Sequence, residues 1–132
     1  MESQDSCVVL KPYSFMFPIV YQLGVTEDVD MKTKLKITVM KKFSPEEIFG
    51  HKIMREGNPI QPCSYAVGDE FIVDDHLNRP KNFCGQAWQD LYDTLMIYYC
   101  GGDYNYPEPG VTYQPCGDGI RPVIFKIEKM SE

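Results

Sequence analysis

Hydrophobic and polar residues alternate along two segments of this chain, and each alternation predicts a half-buried β-strand. Leu35, Ile37 and Val39 alternate with lysine and threonine residues, and the segment 121–129 repeats the pattern near the C-terminus. A period of two places successive side chains on opposite faces of a sheet. Shorter apolar segments at 67–73, where a turn comes first, and at 111–114 are predicted as two further strands.

Two helices are predicted between these strands. Ser44, Pro45 and Glu47 have the spacing of a capping box with proline at the first helical position, so a short helix spans about 44–50. The main helix spans about 84–99 and ends at Gly101-Gly102. Helical spacing places one apolar face on it, made of Cys84, Ala87, Trp88, Leu91, Leu95 and Tyr98 or Tyr99. Thr94 is assigned to the opposite, polar face.

The order β-α-β-α-β-β indicates an α+β fold, in which a small, mostly antiparallel sheet is covered by the main helix. Residues 31–132 are predicted to form this single domain. Residues 1–30 are apolar and aromatic but interrupted by prolines, and they end in an acidic, turn-prone stretch. They are predicted to form an arm or lid that packs on the domain, over a pocket or on a second subunit. A homodimer formed through this extension is one expected partner.

Composition and charge narrow the class of protein. The chain has 132 residues, 43% of them hydrophobic, and a mean hydropathy of −0.32, as is typical of a water-soluble globular domain. A net charge of −6 argues against nucleic acid as a partner, because binding phosphates requires clustered lysine and arginine. No apolar run reaches the length of a membrane span, and acidic residues and prolines near the N-terminus argue against a secretory signal. We therefore expect a cytoplasmic protein that contacts no membrane.

Five cysteines, without a C-x-x-C pair, are expected to be mostly free thiols in a reducing compartment. Cys84 lies on the apolar helix face, where a free cysteine usually packs as a small apolar residue. The alternative is a metal site, because thiolates are ligands for zinc. Its candidate ligands are Cys63, Cys84, Cys100 and Cys116. The leading interpretation includes no cofactor and no metal.

The segment Cys116-Gly117-Asp118-Gly119-Ile120-Arg121-Pro122-Val123-Ile124-Phe125-Lys126 brings a thiol, a carboxylate and a guanidinium together ahead of a strand. A resemblance to known proteins rests on this motif together with Lys36 to Val39, Val67 to Asp74, Phe83-Cys84, Ala87-Trp88 and Gly101 to Asp103. On these residues, the range 31–130 resembles a family of short, uncharacterised, mainly bacterial proteins. The resemblance implies a compact α+β unit and no particular reaction, cofactor or partner. The family usually has two adjacent cysteines where this chain has Pro115-Cys116.

Candidate acid-base chemistry centres on the same segment. Asp118 is a candidate general acid or base, with Arg121 stabilising an anion and Asp103 as a further catalytic carboxylate. Tyr104, Tyr106, Tyr99 and Trp88 are candidate ligand-binding residues, because aromatic walls favour mostly apolar ligands. The pocket is expected between the C-terminal end of the main helix and the turn 116–121.

The sequence leaves three functions open. The first is binding of a small organic ligand that is aromatic or apolar. If the protein also converts this ligand, it is a cofactor-free acid-base enzyme of the isomerase, cyclase or lyase type. The second is a cysteine-based metal-binding or thiol-redox protein. The third is a non-catalytic structural or assembly module. Whether the protein is an enzyme is left open.

Overall fold

A four-stranded antiparallel sheet and one long helix form the core of the protein. The computed structural model describes residues 33–130. The predicted α+β class is confirmed. In chain order the elements are β1 (Leu35–Lys42), α1 (Pro45–Phe49), β2 (Met54–Arg55), β3 (Asn58–Pro59), β4 (Glu70–Val73), α2 (Gly85–Tyr99), β5 (Val111–Pro115) and β6 (Val123–Lys129).

The sheet has the order β4-β1-β6-β5, so the strands nearest the two ends of the described chain are paired at its centre. In β1 the alternation predicted from the sequence is observed, because Leu35, Ile37 and Val39 are completely buried. The register places Ile37 opposite Phe71 of β4 on one side and opposite Ile127 of β6 on the other. Cross-strand pairs of this kind stabilise a sheet by about 0.2–1 kcal/mol each.

Helix α2 lies on one face of the sheet and completes the core. Its buried residues are Ala87, Leu91, Thr94, Leu95, Tyr98 and Tyr99. Burial of each large apolar side chain contributes about 1.5–3 kcal/mol. The assignment of Thr94 to the polar face is wrong: tyrosines at both positions 98 and 99 are buried, so the buried stripe is wide enough to include position 94.

The predicted helix ends are observed with their capping interactions. The Ser44 hydroxyl accepts a hydrogen bond from the Glu47 N–H, and the Glu47 carboxylate accepts one from the Ser44 N–H, which completes the capping box of α1. Helix α2 begins after Cys84, whose sulfur accepts from the Ala87 N–H. Gly101, just past the helix, has a φ of +92°, which glycine adopts readily.

One small element was not predicted. The sequence assigns residues 55–63 to a loop, but β2 and β3 form a hairpin there. Its two-residue turn consists of Glu56 and Gly57, with φ values of 52° and 83°. Positive φ at both turn positions is typical of a hairpin turn that matches the twist of its strands. The two strands are too short to show an alternating pattern in the sequence.

The predicted extension, residues 1–30, lies outside the described residues, and so does the predicted dimer contact through it. Within the described range 33–130, no helix has both the length and the apolar character to cross a membrane.

Candidate functional site

Three free cysteines from separate parts of the chain line one small cavity. They are Cys63 in the segment between β3 and β4, Cys84 at the start of α2 and Cys116 just after β5. This cavity, the thiol pocket, has a volume of about 90 Å³. Its other lining residues are Tyr65, Gln86, Ala87, Asp118, Arg121, Val123 and Phe125.

The backbone of Cys84 is held by a tyrosine. Its N–H donates to the Tyr65 hydroxyl at 2.7 Å, and its sulfur accepts from the Ala87 N–H at 3.5 Å. The expectation that Cys84 packs on the apolar face of the helix is wrong, because the residue is exposed. It occupies the N-cap position, where the helix has not begun and the side chain turns back to the first free N–H groups.

Tyr65 is itself fixed within the core. Its ring packs against the rings of Phe71, Phe83 and Phe125, with centroid separations of 5.6–5.8 Å. Burial makes the largest contribution and raises the pKa of Tyr65. The Cys84 N–H lowers that pKa, and electrostatic interaction with the three cysteines raises it further. The hydroxyl is therefore a neutral group that lies within electrostatic reach of all three thiols.

The other two cysteines are also held through their backbones. The Lys42 ammonium group donates to the Cys63 carbonyl at 3.0 Å. The Cys116 N–H donates to the Val123 carbonyl at 3.0 Å. Each of the three thiols therefore extends from a backbone that is hydrogen-bonded to another part of the chain, and such support limits where the sulfurs can lie.

Asp118 and Arg121 form the polar rim of the thiol pocket. One Asp118 oxygen accepts from the backbone N–H groups of Ile120 and Arg121, at 3.0 and 3.2 Å, and the other accepts from the Arg121 Nε at 3.3 Å. Partial desolvation raises the pKa of Asp118, but these donors outweigh it and the net pKa lies below the ordinary value. A carboxylate held in its ionised form is a poor match for the predicted general acid or base.

The turn 116–121 lies beside the N-terminal half of α2. The Gly117 N–H donates to the Asp90 carboxylate at 2.6 Å, and Asp90 is only five residues from the first residue of the helix. The pocket was expected at the C-terminal end of α2, and that position is wrong. The antiparallel order of the sheet carries β5 back along the helix, so the residues that follow β5 return to where the helix starts.

The remaining carboxylate candidate, Asp103, lies away from the thiol pocket and organises its own loop. It accepts from the N–H groups of Asn105 and Gly110, at 2.9 and 2.8 Å, and pairs with the Lys129 ammonium group at 3.4 Å. The pKa of Asp103 is lowered, and the hydrogen bond from the Asn105 N–H makes the largest contribution. Desolvation raises this pKa, whereas the Gly110 N–H and the Lys129 ammonium group lower it further. Tyr104, in the same loop, packs edge-on against Tyr98 of α2.

The other predicted aromatic residues are also distributed outside the thiol pocket. Tyr106 is largely exposed, with 76% of its surface accessible. Tyr99 is completely buried, and its hydroxyl donates to the Asp75 carbonyl at 2.9 Å. Trp88 is partly buried and packs edge-on against Phe83 and Tyr92. The structure therefore brings Asp118 and Arg121 together, but it does not gather the aromatic residues around them.

Of the four cysteines proposed as metal ligands, Cys100 is far from the others. Cys84 and Cys100 cap opposite ends of α2, a helix of 15 residues. At a rise of 1.5 Å per residue, the two cap positions are about 24 Å apart. Cys100 is also disulfide-bonded. A site made of all four cysteines is therefore wrong, and Cys63, Cys84 and Cys116 are the three that line a common cavity.

Two open grooves flank the thiol pocket. The first, named the hairpin groove, has a volume of about 470 Å³. It is lined by residues of β2–β3 and by Asp118 and Arg121, and none of its lining residues is aromatic. The second, named the arginine groove, has a volume of about 520 Å³ and is lined by Arg79 and Arg121 together with Cys63 and Cys84. Arg121 lines both grooves and the thiol pocket, so the three adjoin one another at this side chain.

The described residues contain one other cluster of potential metal ligands. Asp74, Asp75 and His76 are the one group of three, within residues 33–130, whose ligand atoms all lie within 4.8 Å of one another. The Asp74 carboxylate, however, accepts hydrogen bonds from the backbone of His76 and from Asn78. This cluster is a loop held by its own side chains. By the same distance criterion, the three thiols are spread more widely than a closed metal site.

Sequence reasoning missed Tyr65 and Arg79. Tyr65 was not singled out because its partner, Cys84, is 19 residues away and no local pattern joins them. The Arg79 guanidinium donates to the Phe83 carbonyl at 2.6 Å, within a polar segment whose sequence shows no helix or strand pattern. The N-cap role of Cys84 did leave a signal, since the residue directly precedes the helical periodicity.

Comparison with known proteins gives no further evidence on the site. Searches of family models, of curated proteins and of solved structures found no match for this chain.

Proposed function

We propose that this protein binds one thiophilic metal ion, with Zn²⁺ as the favoured ion, through the sulfurs of Cys63, Cys84 and Cys116. The single observation that carries this proposal is the convergence of three free thiols on one cavity. The thiolate is the form of cysteine that binds metals, and soft thiolate ligands select Zn²⁺ and Cu⁺ over Mg²⁺ and Ca²⁺.

The size of the thiol pocket favours an ion over an organic molecule. Pockets for drug-sized ligands have volumes of about 300–1,000 Å³. The thiol pocket, at about 90 Å³, is well below that range. Asp118 and Arg121 also line it, and their ion pair at 3.3 Å adds no net charge to the pocket.

Metal binding requires the thiols to approach one another. Zinc–sulfur bonds of about 2.3 Å in a tetrahedral site place sulfurs about 3.8 Å apart. The three thiols are not all within 4.8 Å of one another, so the site must close by rotation of cysteine side chains between staggered positions. The hydrogen bonds to Lys42, Tyr65 and Val123 hold the backbones while this happens.

The acid-base enzyme left open by the sequence has less support. An acid-base enzyme needs a group that titrates near neutral pH, whereas the pKa of Asp118 is lowered. A thiol-redox protein would use the same cysteines, but would join two of them in a disulfide. Oxidation of the thiols distinguishes the two cysteine functions. A redox pair is oxidised reversibly, whereas cysteines that bind a metal ion are protected from oxidation while the ion is bound.

Zinc titration of the full chain, purified under reducing conditions, tests the proposal. We expect one zinc per chain by elemental analysis, and a sulfur-to-metal charge-transfer band after substitution with Co²⁺. Zinc at about 100 times its Kd should raise the free energy of unfolding by about 2.7 kcal/mol. Each of Cys63→Ser, Cys84→Ser and Cys116→Ser should weaken binding by more than about 100-fold, beyond the usual effect of losing an outer-shell partner.

His76→Ala is the matched control, because it removes a ligand from the other candidate cluster and leaves the thiols intact. It should bind zinc as the unmodified chain does. The proposal is overturned if the chain binds no zinc. It is also overturned if His76→Ala loses zinc while the three cysteine variants keep it. A reversible loss of two hydrogens by mass spectrometry, with no metal bound, would favour the thiol-redox alternative.

A further inference from the structure

The C-terminal end of α2 carries a disulfide at Cys100. The chain has five cysteines, and the other three within residues 33–130 are free thiols, namely Cys63, Cys84 and Cys116. The partner of Cys100 is therefore not among the described residues. Cys7 is the one cysteine of this chain that remains.

A half-buried apolar stripe leads along α2 to this disulfide. Its residues are Trp88, Tyr92, Met96 and Cys100, which pack against the core and are partly exposed. They are spaced four positions apart, so they follow one another along one side of the helix. The rings of Trp88 and Tyr92 have centroids 5.8 Å apart, and the sulfurs of Met96 and Cys100 are 3.6 Å apart. A contiguous apolar surface of this kind is typical of an interaction site.

The segment around Cys7 matches the stripe in character and in reach. Three apolar residues, at positions 8–10, follow Cys7 directly. Apolar side chains are stabilised when they leave water for an apolar surface. Cys7 is 26 positions before Thr33, the first described residue, and a chain of that length spans at most about 90 Å. The two cap positions of α2 are about 24 Å apart, so Cys7 can reach Cys100 from the start of β1.

We propose that Cys7 and Cys100 of the same chain form a disulfide, which holds residues 7–10 against the stripe on α2. The bond forms by two exchange steps with a small-molecule disulfide such as oxidised glutathione. One cysteine displaces the first glutathione and the other displaces the second, so the two electrons and two protons lost by the protein end on two glutathione thiols. Excess reduced glutathione reverses both steps and releases the segment.

Peptide mapping tests which cysteine is joined to Cys100. The full chain is incubated with oxidised glutathione, its free thiols are alkylated without reduction, and the digest is analysed by mass spectrometry. We expect a peptide pair that joins Cys7 to Cys100, in a chain that runs as a monomer on a non-reducing gel. Cys63→Ser is the matched control, because it removes a free cysteine and should leave this pair intact. An alkylated Cys100, or a Cys100 joined to a second copy of the chain, overturns the proposal.

The fluorescence of Trp88 tests whether the segment lies along the stripe. Trp88 is the one tryptophan of the chain, so the emission reports on this surface. In Cys7→Ser we expect emission at longer wavelength and stronger quenching by acrylamide than in the oxidised parent chain, because more of the indole meets water. Cys63→Ser should keep the emission of the parent chain. Identical emission and quenching in Cys7→Ser and the parent chain overturn the docking.

The disulfide is independent of the proposed metal site, because it uses none of the three cysteines that line the thiol pocket. Cys7→Ser should therefore bind zinc as the parent chain does. A chain that binds zinc but lacks the bond between Cys7 and Cys100 overturns this inference alone. A chain that has the bond but binds no zinc overturns the proposed function alone.

Discussion

The hydroxyl of Tyr65 accepts a hydrogen bond from the backbone N–H of Cys84, at 2.7 Å and across 19 residues of sequence. This bond joins the segment before β4 to the first turn of α2. It also connects two residues that line the thiol pocket. The position of one thiol therefore depends on a tyrosine that is packed within the aromatic core.

Tyr65→Phe tests that dependence. The substitution keeps the ring but leaves the Cys84 N–H without its acceptor, which should lower the free energy of unfolding by about 1–2 kcal/mol in urea. Zinc affinity should fall by about 10–100-fold, as for other groups that orient a ligand. Tyr113→Phe, at an exposed tyrosine, is the control and should change neither quantity. An unchanged zinc affinity in Tyr65→Phe would show that the hydroxyl does not position the thiol.

The contact between Gly117 and Asp90 gives a second prediction. A Cβ at position 117 would lie 2.8 Å from an Asp90 carboxylate oxygen, so Gly117→Ala must displace that side chain and break its hydrogen bond. We expect a loss of about 1 kcal/mol in the free energy of unfolding. Gly119→Ala, where a Cβ would have nothing within 4 Å, should stay within about 0.5 kcal/mol of the parent chain.

A double-mutant cycle separates this contact from other effects of the alanine. Asp90→Ala should cost about as much as Gly117→Ala, because each removes the same hydrogen bond. The double variant should then cost no more than either single variant. Additive losses would mean that the two residues stabilise the protein independently, contrary to the observed bond.

Asp118 makes stability depend on pH in acid. Because its pKa in the folded protein lies below the ordinary value for an aspartate, the ionised carboxylate stabilises the fold at higher pH. That contribution is lost as the pH falls through the folded pKa, since the unfolded chain takes up its proton first. Asp118→Asn should therefore be less stable than the parent chain at pH 7, and the difference should shrink once the pH is below the pKa of an ordinary aspartate.

Unfolding in urea at a series of pH values measures this difference. Asp93→Asn is a suitable control, because Asp93 is an exposed residue on α2. It should follow the parent chain across the series. If Asp118→Asn kept a constant difference from the parent chain down to the lowest pH, the Asp118 carboxylate would not be the titrating group.

Local patterns in the sequence determined the main elements of the fold. The period of two predicted β1 and β6, and the capping box at Ser44 and the glycines after α2 set helix ends that the structure confirms. These features are local, because strand alternation and helix capping depend on residues within a few positions of one another. The sequence also singles out the segment from Cys116 to Arg121, three residues of which line the thiol pocket.

Only the tertiary structure decided which residues join that segment. Antiparallel pairing of β5 with β6 returns the chain to the start of α2, so Cys116 lies near Cys84 and Cys63 and away from Cys100. The thiols are 21 and 32 positions apart in sequence, and no local interaction links them. Their convergence follows from how the sheet and the helix bury their apolar faces against each other, because that packing fixes which ends of the elements meet.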